Sequence, residues 1–233
     1  MTRRYIYVML TYIIMQISVY LAVPLLVLVF HADPLLANIY WAVFSFAAGL
    51  VIVLWLLRPD MRVRAHPDAA GVGAIIIWSV LGIFMALLAQ GLAATIELEV
   101  LGIDPGSENT QALMGLARVA PIFILLPAIF APILEEIIFR KIIFGSLHRK
   151  MNFFFAALIS SLIFAVIHLD FLHILVYTAM GFVFAFLYVQ TKRIIVPIIV
   201  HAGMNTFVVL VQLFLDPEKI QQQLEQTILF FGG

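Results

Sequence analysis

Long apolar stretches alternate with short polar connections along the whole chain. A membrane-spanning helix needs about 20 mostly apolar residues, so stretches nearly free of Lys, Arg, Asp and Glu are the candidates. Seven such stretches occur, at residues 5–30, 36–57, 70–94, 112–144, 153–169, 172–190 and 194–215. The pattern predicts an all-α fold, a polytopic bundle of about seven transmembrane helices.

The two ends of the chain carry weaker signals. The amino terminus begins like a signal peptide, but its apolar run continues to Phe30 without a small-residue cleavage site, so we expect a retained first helix. Near the other end, Asp216 can cap a helix and Pro217 suits its first position. Apolar residues four apart follow, and they predict an amphipathic helix at the membrane interface over residues 216–233.

The connections between the predicted helices alternate in charge. Every second connection is basic, from Arg3 and Arg4 through residues 58–64 and 149–150 to 192–193, whereas the intervening connections are acidic. Because positively charged short loops stay in the cytoplasm, we expect a cytoplasmic amino terminus and an outer carboxyl terminus. The plasma membrane is the expected location.

Composition narrows the class of protein. Of the 233 residues, 64% are hydrophobic and 11% charged, against roughly 45–50% and about 25% in soluble domains. The formal net charge is zero, so no nucleic-acid partner is implied, and the lipid bilayer is the expected surrounding. Cysteine is absent, which excludes disulfides, thiolate metal sites and cysteine nucleophiles.

Charged residues interrupt the fourth apolar stretch, at Glu135, Glu136 and Arg140. On a helix, Glu136 and Arg140 share a face, whereas Glu135 is turned from Glu136 by about 100°. Arg140 can therefore neutralise Glu136 but not Glu135, and the unpaired carboxylate is suited to take a proton from water. The alternative is that all three mark the cytoplasmic end of the helix. Pro132, three residues before Glu135, removes a backbone donor and leaves nearby carbonyls free.

Two later helices carry polar pairs four residues apart. Phe164 and His168 share a face of the fifth helix, and His201 and Asn205 share a face of the seventh. An imidazole and a carboxamide can donate hydrogen bonds to a developing oxyanion. The alternatives are an interfacial histidine at 168 and a structural hydrogen bond between helices at 201–205.

Other polar residues are weaker candidates. Ser160 and Ser161 precede His168, but there is no nucleophile-elbow motif, so a serine hydrolase is disfavoured. Asp170 and His173 follow His168 in the outer turn, where they either support it or are solvated.

The three patterns, in this order, resemble the CAAX protease and bacteriocin-processing family, also called the Abi family. Its pattern is EExxxR, then FxxxH, then HxxxN or HxxxD, on consecutive membrane helices. This sequence has EEIIFR at 135–140, FAVIH at 164–168 and HAGMN at 201–205. The resemblance covers roughly residues 112–210.

The resemblance implies an intramembrane endopeptidase similar to the enzymes that trim prenylated CAAX proteins, acting on a membrane-anchored peptide or protein. By that resemblance, Glu135 and His168 would activate water. His201 and Asn205 would stabilise the oxyanion, and Glu136 and Arg140 would support the site as an ion pair. We expect no cofactor. The HExxH zinc signature is missing, but a Glu with two His is a donor set that zinc accepts, so a metal stays open.

The sequence leaves its domain organisation and its function with alternatives. We expect peripheral helices at 1–110, a catalytic core at 111–215 and the interfacial tail at 216–233. One rival function is a non-catalytic bacteriocin-immunity or scaffold protein of the same family, and another is a proton-coupled transporter, which the lack of internal repeats disfavours. One conflict remains, because straight helices would put His168 about 25 Å and His201 about 10 Å from their cytoplasmic starts.

Overall fold

The apolar stretches form helices in the computed structural model, which describes residues 2–62, 66–104 and 106–214. Six segments are long and apolar enough to span a membrane, and a shorter apolar helix lies between the fourth and the fifth of these along the chain. We number the seven in chain order: first span Arg3–Phe30, second span Pro34–Leu56, third span Val72–Leu101, fourth span Pro121–His148, fifth helix Phe153–Val166, sixth span Phe171–Thr191 and seventh span Ile195–Phe214. The described chain contains no strand, so the all-α polytopic class is confirmed. The tail predicted at 216–233 lies outside the described residues.

The third span is longer than predicted, because it continues past residue 94 to Leu101. Glu97 lies inside this extension and is only 1% exposed. Its carboxylate does not end the helix, since Nδ1 of His173 lies 2.8 Å from one oxygen and the Val176 N–H donates to the other at 3.2 Å. The helix ends where Gly102 takes the left-handed conformation, at a φ of 66°.

The helix predicted at 112–144 is two elements, so that prediction was wrong at its start. An amphipathic helix, Glu108–Val119, comes first, and the fourth span begins at Pro121. Ala120 between them is extended, with φ −139° and ψ 105°. The physical reason is the ring of Pro121, which drives the preceding residue out of the helical region.

The backbone of the fourth span changes its hydrogen-bonding register repeatedly. A 3₁₀ turn at Pro121–Ile124 is followed by π-helical segments at Leu126–Phe130 and Glu136–Phe144, with one α-helical turn, Ala131–Glu135, between them. π-Helical segments are rare and frequently occur at functional sites. In the most apolar 18-residue stretch of this span, 67% of the residues are buried, against 6% in that of the first span. The fourth span is therefore the centre of the bundle.

The remaining helices pack closely around this centre. The sixth span packs against the third span and the fifth helix, and the seventh packs against the third and fourth. A Cβ added at Gly181 would lie 2.6 Å from Cβ of Ser161, so the sixth span touches the fifth helix almost backbone to backbone. The division of the chain at residue 110 stays a prediction, although the third span packs against the sixth and seventh spans.

The basic connections meet at one end of the bundle, which we call the basic end. Asp60 lies 2.8 Å from a guanidinium nitrogen of Arg4 and 3.7 Å from Nζ of Lys141. Lys192 lies 2.8 Å from the Asp68 carboxylate. The amino terminus, the connection after the second span, the fourth span and the connection before the seventh therefore converge there.

Candidate active site

One cavity of about 610 Å³ collects the predicted residues. Its wall includes Glu135, His168, His201 and Asn205, which come from the fourth span, the turn after the fifth helix and the seventh span. Glu136 and Arg140 lie behind this wall, at 0% and 1% exposure. The structure therefore brings the three sequence motifs to a single hollow.

Glu136 is shared by two partners. Nε of Arg140 lies 3.2 Å from its Oε2, and Nδ1 of His201 lies 2.9 Å from its Oε1. Because an ionised carboxylate only accepts, Nδ1–H of His201 donates this hydrogen bond. The predicted Glu136–Arg140 ion pair is confirmed, and His201 is its third member.

The guanidinium of Arg140 is enclosed by aromatic rings. Its Cζ lies 4.5 Å from the ring centroid of Phe164 and 5.1 Å from that of Phe184, both within the range of cation–π attraction. Within the described part of the chain, no acceptor meets its N–H groups in hydrogen-bonding geometry. The 3.2 Å contact with Glu136 is therefore an ion pair without an aligned hydrogen bond, supported by two rings.

Of the two adjacent glutamates, Glu135 is the one that lines the cavity. Its ion-pair contact among the described residues is with Nε2 of His201, at 3.8 Å, which is too long for a hydrogen bond. His201 therefore lies between the two glutamates, one hydrogen-bonded and buried, the other open to the cavity. The prediction that Arg140 pairs with Glu136 rather than with Glu135 matches this arrangement.

His168 lies just beyond the end of the fifth helix, in the turn that follows Val166. Its Nδ1 is 2.7 Å from the Phe164 carbonyl oxygen. A carbonyl only accepts, so Nδ1–H donates, and in the neutral ring Nε2 then carries a lone pair. Nε2 can thus accept a proton from a water molecule in the cavity.

The large difference in membrane depth expected between His168 and His201 is not observed, because both imidazoles lie against the ring of Phe164. Its ring centroid lies 4.6 Å from that of His168 and 5.8 Å from that of His201. One aromatic ring therefore fills the space between the two imidazoles. The straight-helix estimate also assumed a fifth helix running to residue 169, whereas the helix ends at Val166.

The side chain of Asn205 replaces a missing backbone hydrogen-bond donor of the fourth span. Its Nδ2 donates to the Pro127 carbonyl at 3.0 Å. In the π-helical register, in which Ala131 N–H donates to the Leu126 carbonyl, the donor to Pro127 would come from position 132, where proline has none. The carbonyl predicted to be free near Pro132 is thus present, and one amide N–H of Asn205 still remains for a substrate.

Sequence reasoning missed two buried residues beside this site. Tyr177 stacks on the His168 ring with centroids 4.2 Å apart, and Glu97 holds His173. A tyrosine in an apolar helix gives no sequence signal, whereas Glu97, a carboxylate just past the predicted end of a span, did give one. Asp170 and His173 are both buried, so the solvated alternative for them was wrong.

Two alternative chemistries find no support in the geometry. Ser160 donates its hydroxyl to the Phe139 carbonyl at 2.8 Å and lies outside the cavity wall. Among the residues that the structure describes, no group of three or more His, Cys, Asp or Glu side chains is arranged to hold a metal ion. We therefore derive no step through a metal.

Carboxyl and imidazole groups around a cavity inside a bundle of membrane-spanning helices are the groups that an intramembrane hydrolase needs. Comparison with known proteins is more specific. The family model described as type II CAAX prenyl endopeptidase Rce1-like matches residues 117–207. A putative membrane peptidase, YdiL, of Bacillus subtilis is 49% identical over 242 residues, which cover 100% of this chain and 99% of the relative. The membrane-embedded CAAX protease MroQ of Staphylococcus aureus is 43% identical over 66% of this chain and 64% of its own length.

No solved structure matches the chain. The family match and the full-length relative place the chain plainly: it belongs to the Rce1-like CAAX prenyl endopeptidase family. It is accordingly a membrane protease, built on an integral helical bundle.

Proposed function

We propose that this protein is an endopeptidase that cleaves membrane-associated or prenyl-like substrates with a water molecule activated by Glu135 and His168. The observation that carries the proposal is the unequal state of the two glutamates. Glu136 is paired with Arg140 and hydrogen-bonded to His201, whereas Glu135 lines the cavity together with His168. A carboxylate and an imidazole nitrogen that line the same cavity can act together as a general base.

These positions support the following reaction. The Glu135 carboxylate takes a proton from water while Nε2 of His168 orients it, and the hydroxide attacks the peptide carbonyl carbon. The negative charge that develops on the carbonyl oxygen is stabilised by the second amide N–H of Asn205 and by Nε2 of His201 when that nitrogen carries a proton. The C–N bond then breaks, and the proton held by Glu135 passes to the leaving amine. One water is consumed, and one acid and one amine are formed.

The substrate class is supported by the cavity wall. Much of this wall is apolar, with Phe46, Met114, Phe123, Met180 and Met204 among its members. Such a wall favours apolar side chains or an attached lipid over a charged segment. The name of MroQ, a CAAX protease, agrees with a lipid-linked substrate class.

We further propose that the protein resides in the plasma membrane with its basic end in the cytoplasm. The convergence of Arg4, Lys141 and Lys192 at one end supports this orientation, because positively charged connections are retained on the cytoplasmic side. Cleavage would then occur inside the bundle, between the two membrane surfaces.

The test compares purified wild type with Glu135→Gln on a panel of membrane-anchored peptides, with and without a prenyl chain. We expect cleavage by the wild type and a loss of about 10²–10⁴-fold in the variant, the range for removal of a general base. Glu99→Gln is the matched control, since Glu99 is exposed near the end of the third span. Equal cleavage by wild type and Glu135→Gln would overturn the assignment of the base.

The same preparations address the metal and the non-catalytic alternative. We expect the wild type to retain activity after chelation, with elemental analysis showing no stoichiometric zinc. Loss of activity on chelation, restored by zinc, would contradict a metal-free mechanism. Binding of the peptides by wild type without cleavage of any would favour the scaffold or immunity function.

A further inference from the structure

The imidazole of His168 lies beyond the end of the fifth helix and is bound to that helix by one hydrogen bond. The fifth helix ends at Val166, and the next turn includes Leu169 in the left-handed region, at a φ of 56°. The hydrogen bond from Nδ1 to the Phe164 carbonyl fixes one ring nitrogen. One hydrogen bond leaves the ring free to turn about it, so other contacts must set the plane of the imidazole.

Tyr177, on the sixth span, supplies the contact that sets this plane. Its ring lies nearly parallel to the imidazole of His168, with centroids 4.2 Å apart and planes 26° apart. Phe164 meets the same imidazole edge-on, at 66°. A tilt of the imidazole would therefore break the parallel contact with Tyr177.

The hydroxyl of Tyr177 belongs to a directed chain of hydrogen bonds. Ser107 donates to the Asp170 carboxylate at 2.6 Å, which uses its only proton. The 3.3 Å contact between the hydroxyls of Tyr177 and Ser107 therefore has Tyr177 as donor. Asn109 donates to the Tyr177 oxygen at 3.4 Å. Both donor and acceptor functions of the phenol are thus occupied.

This chain closes on the turn that carries His168. Asp170 lies two residues after His168 and is 8% exposed, so its carboxylate is a buried anchor within the same turn. The path runs from that turn through Asp170 and Ser107 to Tyr177, and returns through the stacked rings. A closed path restrains the phenol and the imidazole together.

Glu97 fixes the helix on which Tyr177 stands. Its carboxylate accepts from the Val176 N–H at 3.2 Å, in the first turn of the helix Ile174–Thr191, and lies 2.8 Å from Nδ1 of His173. A negative charge at a helix amino terminus is favourable. The third span therefore holds the start of this helix directly beside Tyr177.

We propose that Tyr177 is a positioning residue for His168, held in place through Ser107 and Asp170. This inference rests on the proposed function, in which Nε2 of His168 orients the attacking water. A group misplaced by about 1 Å can lower a rate about 100-fold, so a contact that fixes the imidazole plane acts on turnover more than on substrate binding.

The experiment compares Tyr177→Leu, which removes the stacked ring, with Tyr177→Phe, which keeps the ring and removes the hydroxyl. Tyr188→Leu is the matched control, since Tyr188 stands on the same helix and meets Phe144, 6.5 Å away, outside the cavity wall. Steady-state cleavage of a membrane-anchored peptide gives kcat and KM. Histidine-labelled protein in detergent gives the ring resonances of His168, assigned with His168→Gln.

We expect Tyr177→Leu to lower kcat about 10- to 100-fold with KM changed less than about twofold, and to shift the His168 ring protons downfield as the stacked ring is lost. Tyr177→Phe should keep the ring shift and lose a smaller part of kcat, and Tyr188→Leu should change neither. Wild-type resonances and kcat in Tyr177→Leu would overturn the proposal. If that variant does not fold, a wild-type kcat in Tyr177→Phe would overturn the role of the hydroxyl chain.

The resonances separate this inference from the proposed function. If the His168 resonances shift in Tyr177→Leu but the wild type cleaves no peptide, the stacking contact stands and the endopeptidase assignment is overturned. Cleavage that depends on Glu135 but not on Tyr177 would overturn the positioning role alone.

Discussion

Two adjacent glutamates of the same helix have opposite surroundings. Glu136 is fully buried, beside one cation and one imidazole, whereas Glu135 opens to the cavity and lies 3.8 Å from Nε2 of His201. A buried charge is tolerated only when it is paired. The pairing of Glu136 thus keeps a fixed negative charge behind the site, and it leaves Glu135 as the group that can exchange a proton with water.

The ion pair makes a stability prediction at the residue scale. Arg140→Met should lower the free energy of unfolding by about 3–5 kcal/mol, because Glu136 would remain as an uncompensated buried charge. The double variant Glu136→Gln with Arg140→Met should recover much of this loss. Thermal unfolding in detergent measures both, with the exposed Arg118→Met as control. A wild-type melting temperature for Arg140→Met would contradict the prediction.

At the scale of the element, the fourth span departs from a regular helix where its chemistry lies. Its π-helical segments flank Glu135 and include Glu136 and Arg140. Pro132 removes one backbone donor, and the seventh span replaces it through Asn205 and the Pro127 carbonyl. The Pro127 carbonyl therefore receives its hydrogen bond from the neighbouring span and not from the backbone of its own helix.

This substitution of a side chain for a backbone donor can be measured by a double-mutant cycle. Asn205→Ala should destabilise the protein by about 1–3 kcal/mol, because the buried Pro127 carbonyl loses its donor. In a Pro132→Ala background the cost should be smaller, since the new N–H at position 132 can donate instead. Pro121→Ala is the matched control, because a proline at a first helical position lacks no needed donor. Equal costs of Asn205→Ala in all backgrounds would contradict the coupling.

At the scale of the whole molecule, the alternation of charge along the chain becomes a separation of its two ends. The basic end gathers Arg4, Lys141 and Lys192 around Asp60 and Asp68. The buried acidic residues Glu97 and Asp170 lie toward the other end, near the amphipathic helix Glu108–Val119. The cavity lies between these ends.

The orientation predicts a labelling pattern. The chain contains no cysteine, so single cysteines can be introduced without removing any. In intact cells, a membrane-impermeant maleimide should label Glu108→Cys, and it should label Lys150→Cys only after permeabilisation. Both side chains are exposed, so accessibility from the correct face is the only barrier. The reverse pattern would contradict a cytoplasmic basic end.

The sequence by itself determined the class, the approximate spans and the pairing of Glu136 with Arg140. These depend on hydropathy and on spacing along one helix, which are local properties. The break at Ala120 was also readable from Pro121, since the effect of proline on its preceding residue is local. The full length of the third span was not readable from the sequence, because Glu97 stays inside the helix through contacts of its carboxylate with His173 and the Val176 N–H.

Only the tertiary structure decided which carboxylate faces the cavity and what surrounds each histidine. His201 lies between two glutamates, Phe164 separates the imidazoles and Tyr177 stacks on His168. These contacts join residues on different helices, so their existence depends on how the helices cross and not on any spacing along the chain. Helix packing fixes such contacts through the shapes of many side chains at once, and no single motif encodes them.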